Sequence, residues 1–146
     1  MARLRIAAEV PAPREEVYRF VTAWGPDGPE DEDAFVEKYG EILERTEGAI
    51  VTQETGDDDT LTWRCTFDYP ARRVVEAVDS TWSDREDDFW EVSEGTRWVV
   101  TFVSKRGGLV GVMQWIFFRL MTRRNVRRVI VGPVLAHFRE GHDVGA

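Results

Sequence analysis

Residues 107–140 read GGLVGVMQWIFFRLMTRRNVRRVIVGPVLAHFRE, and this stretch decides the fold. We predict one long helix here, around which the upstream chain wraps as a sheet. Pro133 lies inside the predicted helix, where proline removes a backbone hydrogen bond and clashes with the preceding turn. The helix is therefore expected to bend or break at Gly132-Pro133.

The first part of this helix, residues 109–121, is apolar on nearly every face. An ordinary surface helix carries one apolar stripe. Here Trp115 and Phe118 point away from the stripe, which consists of Leu109, Met113, Ile116 and Leu120. A second subunit, a membrane surface or an internal cavity must therefore cover the outer side of the helix.

Four arginines follow the apolar run, at positions 123, 124, 127 and 128. They suit anionic headgroups at a membrane surface, and they equally suit the acidic loops of the chain itself. Because the net charge is −8, we favour self-pairing or a homodimer through the 109–121 helix face over peripheral membrane contact.

The bulk composition narrows the class of protein. With 146 residues, 42% of them hydrophobic, and six tryptophans, we expect a single domain, residues 1–146, with a substantial core. The net charge argues against a nucleic-acid partner. The run 109–121 is too short to span a bilayer, and the N-terminus lacks an apolar signal segment, so we expect a cytoplasmic protein. One cysteine and two histidines predict no metal site, and no motif predicts another cofactor.

The middle of the chain has the period of two that is typical of strands. Thr60–Tyr69 is the clearest case, because one face carries only Leu61, Trp63, Cys65, Phe67 and Tyr69. We also predict strands over 3–10, 41–46, 49–55, 72–82, 88–93 and 96–105, with a polar turn at 83–87. Since the connections are short, about seven strands should pair as an antiparallel meander.

Two short helices are predicted after the first strand. The first begins near Pro13 and buries Val17, Phe20, Val21 and Trp24 at helical spacing. Asp33 is suited to cap the second helix, which Gly40 closes. The predicted fold class is therefore α+β.

The strand over residues 72–82 allows two registers. One register turns Val74, Glu76, Val78 and Trp82 inward, and the other turns Val75, Ala77 and Asp79 inward. A slip of one residue exchanges the two faces. Either register brings a carboxylate near the interior, which is costly unless that group is paired or the interior is a functional cavity.

The order of elements resembles the helix-grip fold of the START-like SRPBCC superfamily, which includes polyketide cyclase/dehydrase proteins. The resemblance rests on residues 10–21, VPAPREEVYRFV, at the junction of first strand and helix, and on the final helix. It implies a curved sheet that grips the C-terminal helix around a cavity for a lipid, polyketide, quinone or similar small apolar molecule. Gly132-Pro133 departs from the pattern.

The aromatic residues of the strands are the candidate walls of that cavity. We predict that the ligand contacts Trp63, Cys65, Phe67, Tyr69, Trp82, Trp98, Val100 and Phe102 from the sheet and Met113, Phe117 and Met121 from the helix. The competing interpretation is that the same side chains fill the interior. Composition alone favours a filled core, and the resemblance favours a cavity.

Catalysis is the alternative to binding. An aromatase/cyclase-type enzyme would move protons with Tyr69, Glu76 or Arg64 inside the same cavity; Asp79 is a further carboxylate whose pKa burial could raise. Cys65 would need a base to become a nucleophile, and His137 is the only plausible base for it. An inert, buried Cys65 and a structural His137 are the preferred interpretations. A third hypothesis is a non-catalytic membrane-surface or dimerisation module.

Overall fold

The computed structural model describes residues 3–46, 48–55, 60–78, 84–103, 108–117, 120 and 123–144. In chain order the elements are β1 (Arg3–Val10), α1 (Arg14–Thr22), β2 (Trp24–Gly25), β3 (Gly28–Pro29), α2 (Glu32–Tyr39), β4 (Glu41–Thr46), β5 (Ala49–Thr55), β6 (Thr60–Asp68), β7 (Arg72–Ala77), β8 (Asp84–Val92), β9 (Gly95–Val103), α3 (Gly108–Phe117), α4 (Arg123–Val126), a π-helix (Arg127–Val131) and α5 (Gly132–Val144).

Seven strands form one antiparallel sheet in the order β1-β9-β8-β7-β6-β5-β4. Strands β4 to β9 are therefore a meander, and β1 closes the sheet by pairing with β9 along its whole length. The α+β class, the seven strands, the two short helices after β1 and the C-terminal helical region confirm the predicted fold. Strands β2 and β3 form a small separate hairpin between α1 and α2.

The register of β7 resolves the ambiguity over residues 72–82. Trp63 lies opposite Ala77, Cys65 opposite Val75, and Phe67 opposite Arg73. Residues directly opposite each other on paired strands point to the same face of the sheet. Val75 and Ala77 therefore face the same side as the aromatic residues of β6. We call this side the inner face. Val74 and Glu76 consequently lie on the outer face, and Asp79 and Trp82 fall outside the described residues.

The predicted turn over residues 83–87 is wrong, because β8 begins at Asp84. Its polar composition suggested a loop. Asp87 nevertheless pairs in register with Arg73 on one side and Val100 on the other. A buried charge is tolerated in a strand when it is paired with an opposite charge, and Asp87 forms ion pairs with both Arg73 and Arg85.

The short helices differ from prediction in two places. Phe20 is 40% exposed rather than buried, and it stacks on His137 with ring centroids 4.1 Å apart. Asp31, not Asp33, caps α2, because its Oδ1 accepts a hydrogen bond from the backbone N–H of Ala34 at 3.1 Å. Gly40 ends α2 as predicted, with a φ of 98° that favours glycine.

The C-terminal region is segmented rather than one continuous α-helix. The five residues before Gly132-Pro133 form a π-helix, and α5 begins at Gly132. Proline has no N–H to donate and its ring clashes with the preceding turn of an α-helix. The wider π-helical turn before Pro133 accommodates both effects. The predicted disruption therefore lies in the turn that precedes Pro133. No helix within the described residues is both long and apolar enough to cross a membrane.

One part of the inner face is packed solid. We call it the closed half, and it consists of Phe67, Phe89, Trp98 and Val100, all buried. Side chains from α1, β2 and α2 cover it, namely Tyr18, Trp24 and Phe35. Trp24 stacks on Phe67 at 4.0 Å between centroids, and Tyr18 meets Phe89 edge-on at 5.0 Å. These aromatic contacts hold the small helices against the sheet.

Candidate ligand-binding wall

A second part of the inner face is only partly covered. We call it the open half, and it consists of Trp63, Val75, Arg85 and Phe102, each partly exposed. Val75 lies opposite Arg85, and Arg85 lies opposite Phe102, so three of the four form one row across β7, β8 and β9. Trp63 lies beside this row on β6. The open half is therefore an apolar surface with one cation at its centre.

A buried carboxylate joins the two halves. Asp87 is fully buried, and its two oxygens accept hydrogen bonds from two guanidinium groups and one indole. Arg73 donates from Nε at 3.2 Å and Nη2 at 2.8 Å, and Arg85 donates from Nε at 3.1 Å and Nη2 at 3.0 Å. Trp98 Nε1 donates at 3.0 Å. Burial alone would raise the pKa of Asp87, but Arg73 and Arg85 lower it to about 2.

The two arginines of this network differ in their surroundings. Burial would lower the pKa of Arg73, but the charge of Asp87 outweighs it and keeps the pKa above its usual value. Its remaining nitrogen, Nη1, donates to Tyr39 Oη at 3.2 Å and to the carbonyl of Val21 at 3.5 Å. The side chain of Arg85 is 23% exposed, and its guanidinium carbon lies 6.0 Å from the centroid of the Phe102 ring.

The predicted ligand contacts divide between the two halves. Trp63 and Phe102 belong to the open half, whereas Phe67, Trp98 and Val100 are buried in the closed half. The side chains of Phe67, Trp98 and Val100 therefore fill the interior, as the competing interpretation predicted. Met113 on α3 is 63% exposed. The side chain of Phe117, and Trp82 and Met121 altogether, fall outside the described part of the chain.

Two of the three predicted catalytic residues lie away from the inner face. Arg64 and Glu76 are cross-strand neighbours. Successive side chains of a strand point to opposite faces, so Arg64 and Glu76 lie on the outer face while Trp63 and Val75 lie on the inner face. Tyr69 lies in the turn after β6, where its hydroxyl accepts a hydrogen bond from Arg19 Nη2 at 3.2 Å. The three residues are therefore not assembled around one point.

Cys65 lies on the inner face between Ile50 and Val75 and is buried. Burial raises the pKa of its thiol to about 11, so the thiol stays protonated at neutral pH and is a poor nucleophile. His137 is exposed on α5 and stacks on Phe20. The structure gives Cys65 the inert, buried environment that we preferred.

Thr52 adds a further polar group to the inner face. It lies opposite Trp63 on β5, is fully buried, and its hydroxyl has no hydrogen-bond partner within the described residues. An unsatisfied buried hydroxyl lowers the stability of the folded state. The fold therefore carries this cost at a position beside the open half.

Of the clefts among the described residues, two are lined by aromatic side chains, and neither contains a residue of the open half. One, of about 590 Å³, is lined by residues of the β2–β3 hairpin and the nearby turns, including Trp24, Arg45 and Tyr69. Arg45 is engaged there, because it pairs with Glu32 at 3.6 Å and lies over Trp24 at 5.9 Å. The other, of about 480 Å³, lies between α1 and α5 and includes Phe20 and His137. Neither cleft contains the predicted ligand contacts as a group.

The stripe predicted on the C-terminal helix is exposed. Leu109 is 76%, Met113 63%, Ile116 45% and Leu120 74% exposed. Val112 on α3 is 53% exposed as well. The basic residues that follow, Arg124, Arg127 and Arg128, are also exposed. A large exposed apolar face of this kind is typical of a surface that contacts another protein, a membrane or a ligand.

The polar network of the wall was not predicted from the sequence. The period-two pattern contains a usable signal, since Arg73 shares parity with Val75 and Ala77, and Arg85 and Asp87 share parity with Phe89. Charges of opposite sign at inward positions of neighbouring strands would have indicated a buried pair. Assigning residues 83–87 to a turn concealed it.

No known family model and no curated protein matches the sequence. Similar solved structures do exist. TTHA0849 from Thermus thermophilus is 18% identical, with a TM-score of 0.58 and coverage of 92% of this chain and 98% of that one. The ZhuI aromatase/cyclase from Streptomyces is 19% identical, with a TM-score of 0.53 and coverage of 94% and 93%.

A third similar structure is the di-domain aromatase/cyclase BexL, at 17% identity and a TM-score of 0.56. The match covers 93% of this chain and 49% of that one, so this chain corresponds to about half of the two-domain protein. The seven-stranded antiparallel sheet, the two short helices and these structural matches together show that the chain has the helix-grip fold.

Proposed function

We propose that this protein binds a small hydrophobic ligand on the open half of the inner face, beneath the C-terminal helix. The observation that carries this proposal is the contrast within one sheet: Trp63, Val75 and Phe102 stay partly exposed while Phe67, Phe89 and Trp98 are buried. A ligand would bury that remaining apolar surface at roughly 25 cal/mol per Å².

The ligand class is a lipid, a polyketide, a quinone or a similar molecule. Two proteins with this fold are aromatase/cyclases by name, which makes a polyketide one reasonable member of the class. For this chain we propose binding rather than cyclisation. Among the described residues the candidate proton-transfer groups Tyr69, Glu76 and Arg64 are dispersed, and a general acid or base must be within hydrogen-bond reach of its substrate.

The test uses two substitutions on the same strand. Val75→Trp fills the open half, whereas Val74→Trp adds the same side chain to the outer face. We expect the wild type to bind the neutral dye Nile red, Val75→Trp to weaken binding by at least about tenfold through steric exclusion, and Val74→Trp to leave it unchanged. Equal binding by all three proteins, measured by fluorescence titration, would contradict the proposal.

A second candidate function is homodimerisation through the exposed face of α3. It is favoured by the exposure of Leu109, Val112, Met113 and Ile116 on one short helix, since exposed apolar patches of this kind are typical of protein interfaces. Sedimentation equilibrium would test it. We expect a dimer that Met113→Glu converts to a monomer, and a monomeric wild type at high concentration would exclude the dimer.

A further inference from the structure

The guanidinium of Arg85 has a fixed orientation on the open half. Two of its nitrogens, Nε and Nη2, donate to the two oxygens of Asp87. The Phe102 ring lies on one side of the group. Asp87 in turn accepts hydrogen bonds from Arg73 and Trp98. An arginine held in this way loses little conformational entropy when it binds a further partner.

The charges of the network do not cancel. Arg73 and Arg85 carry two positive charges, and Asp87 carries one negative charge. Arg73 is 3% exposed, and all of its nitrogens have acceptors. The excess positive charge is therefore presented by Arg85, whose side chain is 23% exposed. In the described part of the chain, Asp87 is the only carboxylate that pairs with Arg85.

The unused edge of Arg85 is suited to an anion. A guanidinium has five N–H donors, and the pairing with Asp87 occupies one on Nε and one on Nη2. Nη1 has no acceptor among the residues that the structure describes. The edge formed by Nη1 and the second N–H of Nη2 can bind both oxygens of a carboxylate. Val75 and Phe102 are the cross-strand neighbours of Arg85 in the row.

We propose that the ligand is a hydrophobic carboxylate, whose anionic group binds the free edge of Arg85 and whose apolar body lies on Val75, Phe102 and Trp63. This inference rests on the proposed function and adds the chemical class of the polar end. Charge-assisted hydrogen bonds at a partly buried site are stronger than neutral ones. The pair would be shielded from water by the apolar body of the ligand.

Laurate and 1-dodecanol are a matched pair of probes, because they share a chain length and differ in the end group. We expect the wild type to bind laurate at least about tenfold more tightly than dodecanol at about pH 8, where the carboxylate is ionised. Arg85→Gln should remove this difference by weakening laurate alone. The network becomes neutral in this variant, and Asp87 still pairs with Arg73. Calorimetric titration measures both affinities.

The outcomes separate this inference from the proposed function. If the wild type binds the two probes equally, the carboxylate assignment is overturned while ligand binding stands; this comparison needs no variant to fold. If neither probe binds and Nile red does not bind either, both proposals fail. If Arg85→Gln lowers both affinities by the same factor, Arg85 shapes the wall and does not recognise an anion, which also overturns the assignment.

Discussion

The closed and open halves of the inner face are built from the same strands and the same alternation of side chains. Phe89 and Trp98 lie in the closed half, and Arg85 and Phe102 lie further along the same two strands in the open half. What differs is the cover. Tyr18, Trp24 and Phe35 complete the closed half, whereas the open half keeps partly exposed aromatic rings.

The polar groups follow the same division. Asp87 is satisfied by three side chains, while one edge of Arg85 and the hydroxyl of Thr52 have no hydrogen-bond partner in the described part of the chain. A buried polar network stabilises a fold when every member has a partner and costs free energy when one lacks it. The closed half therefore stabilises the fold, whereas the open half keeps the partly exposed surface on which we propose that a ligand binds.

The largest expected effect contrasts a tryptophan from each half. Trp98→Ala removes a fully buried indole and a hydrogen bond to Asp87, and should lower the free energy of unfolding by about 5 kcal/mol. Trp63→Ala, in the open half, should cost about 1–2 kcal/mol because that ring is already partly hydrated. Urea denaturation followed by circular dichroism measures both. Equal losses would mean that the halves do not differ in packing.

Asp87→Asn probes the joint between the halves. It leaves two guanidinium groups without their carboxylate, and should lower the free energy of unfolding by about 3–4 kcal/mol. Glu86→Gln is the matched control on the same strand. Glu86 pairs with Arg72 at 3.2 Å on the outer face, where a partly solvated ion pair contributes less than about 1 kcal/mol. If Asp87→Asn and Glu86→Gln lower the free energy of unfolding equally, the buried network stabilises the fold no more than the outer ion pair does.

Lowering the pH tests the contribution of Asp87 to stability in a second way. The folded pKa of Asp87 is about 2, below the unfolded value of about 3.9. A carboxyl whose pKa is lowered by folding stabilises the protein above its unfolded pKa, and that contribution disappears as the pH falls through the folded pKa. The stability difference between wild type and Asp87→Asn should therefore shrink by about 2 kcal/mol between about pH 5 and pH 2. A constant difference would show that folding does not lower the pKa of Asp87.

The smallest effect concerns the unsatisfied hydroxyl. Thr52→Val replaces a buried, unpaired hydroxyl with a methyl group of similar size, and should raise the free energy of unfolding by about 1 kcal/mol in ligand-free protein. Thr66→Val, at an exposed position of the outer face, should change it by less than about 0.5 kcal/mol. A loss of stability in Thr52→Val would mean that the hydroxyl has a partner after all.

Much of the architecture could be predicted from the sequence, because period-two patterns and short turns leave few ways to pair strands. The face of β6 followed from Trp63, Cys65 and Phe67 alternating with polar residues. The division into two halves could not be predicted. Trp98 and Trp63 are equally apolar in a sequence, and only the tertiary packing of the elements around them buries Trp98 and leaves Trp63 partly exposed.

The candidate site was harder to predict, for a physical reason. Propensity rules treat Asp and Arg as surface or turn residues, so residues 83–87 suggested a loop. Pairing with Arg73 and Arg85 allows Asp87 to lie buried in a strand. This ion pair depends on the relative register of two neighbouring strands, β7 and β8, and a pattern within one strand cannot indicate it.

The most direct test of ligand binding at the open half is a titration of the protein with laurate, observed through the indole N–H signals of Trp63 and Trp98 by nuclear magnetic resonance. Each signal can be assigned by substitution to phenylalanine. The account predicts that the Trp63 signal shifts with saturation while the Trp98 signal, held by Asp87 at 3.0 Å, stays in place. Saturable binding that leaves Trp63 unchanged would contradict it.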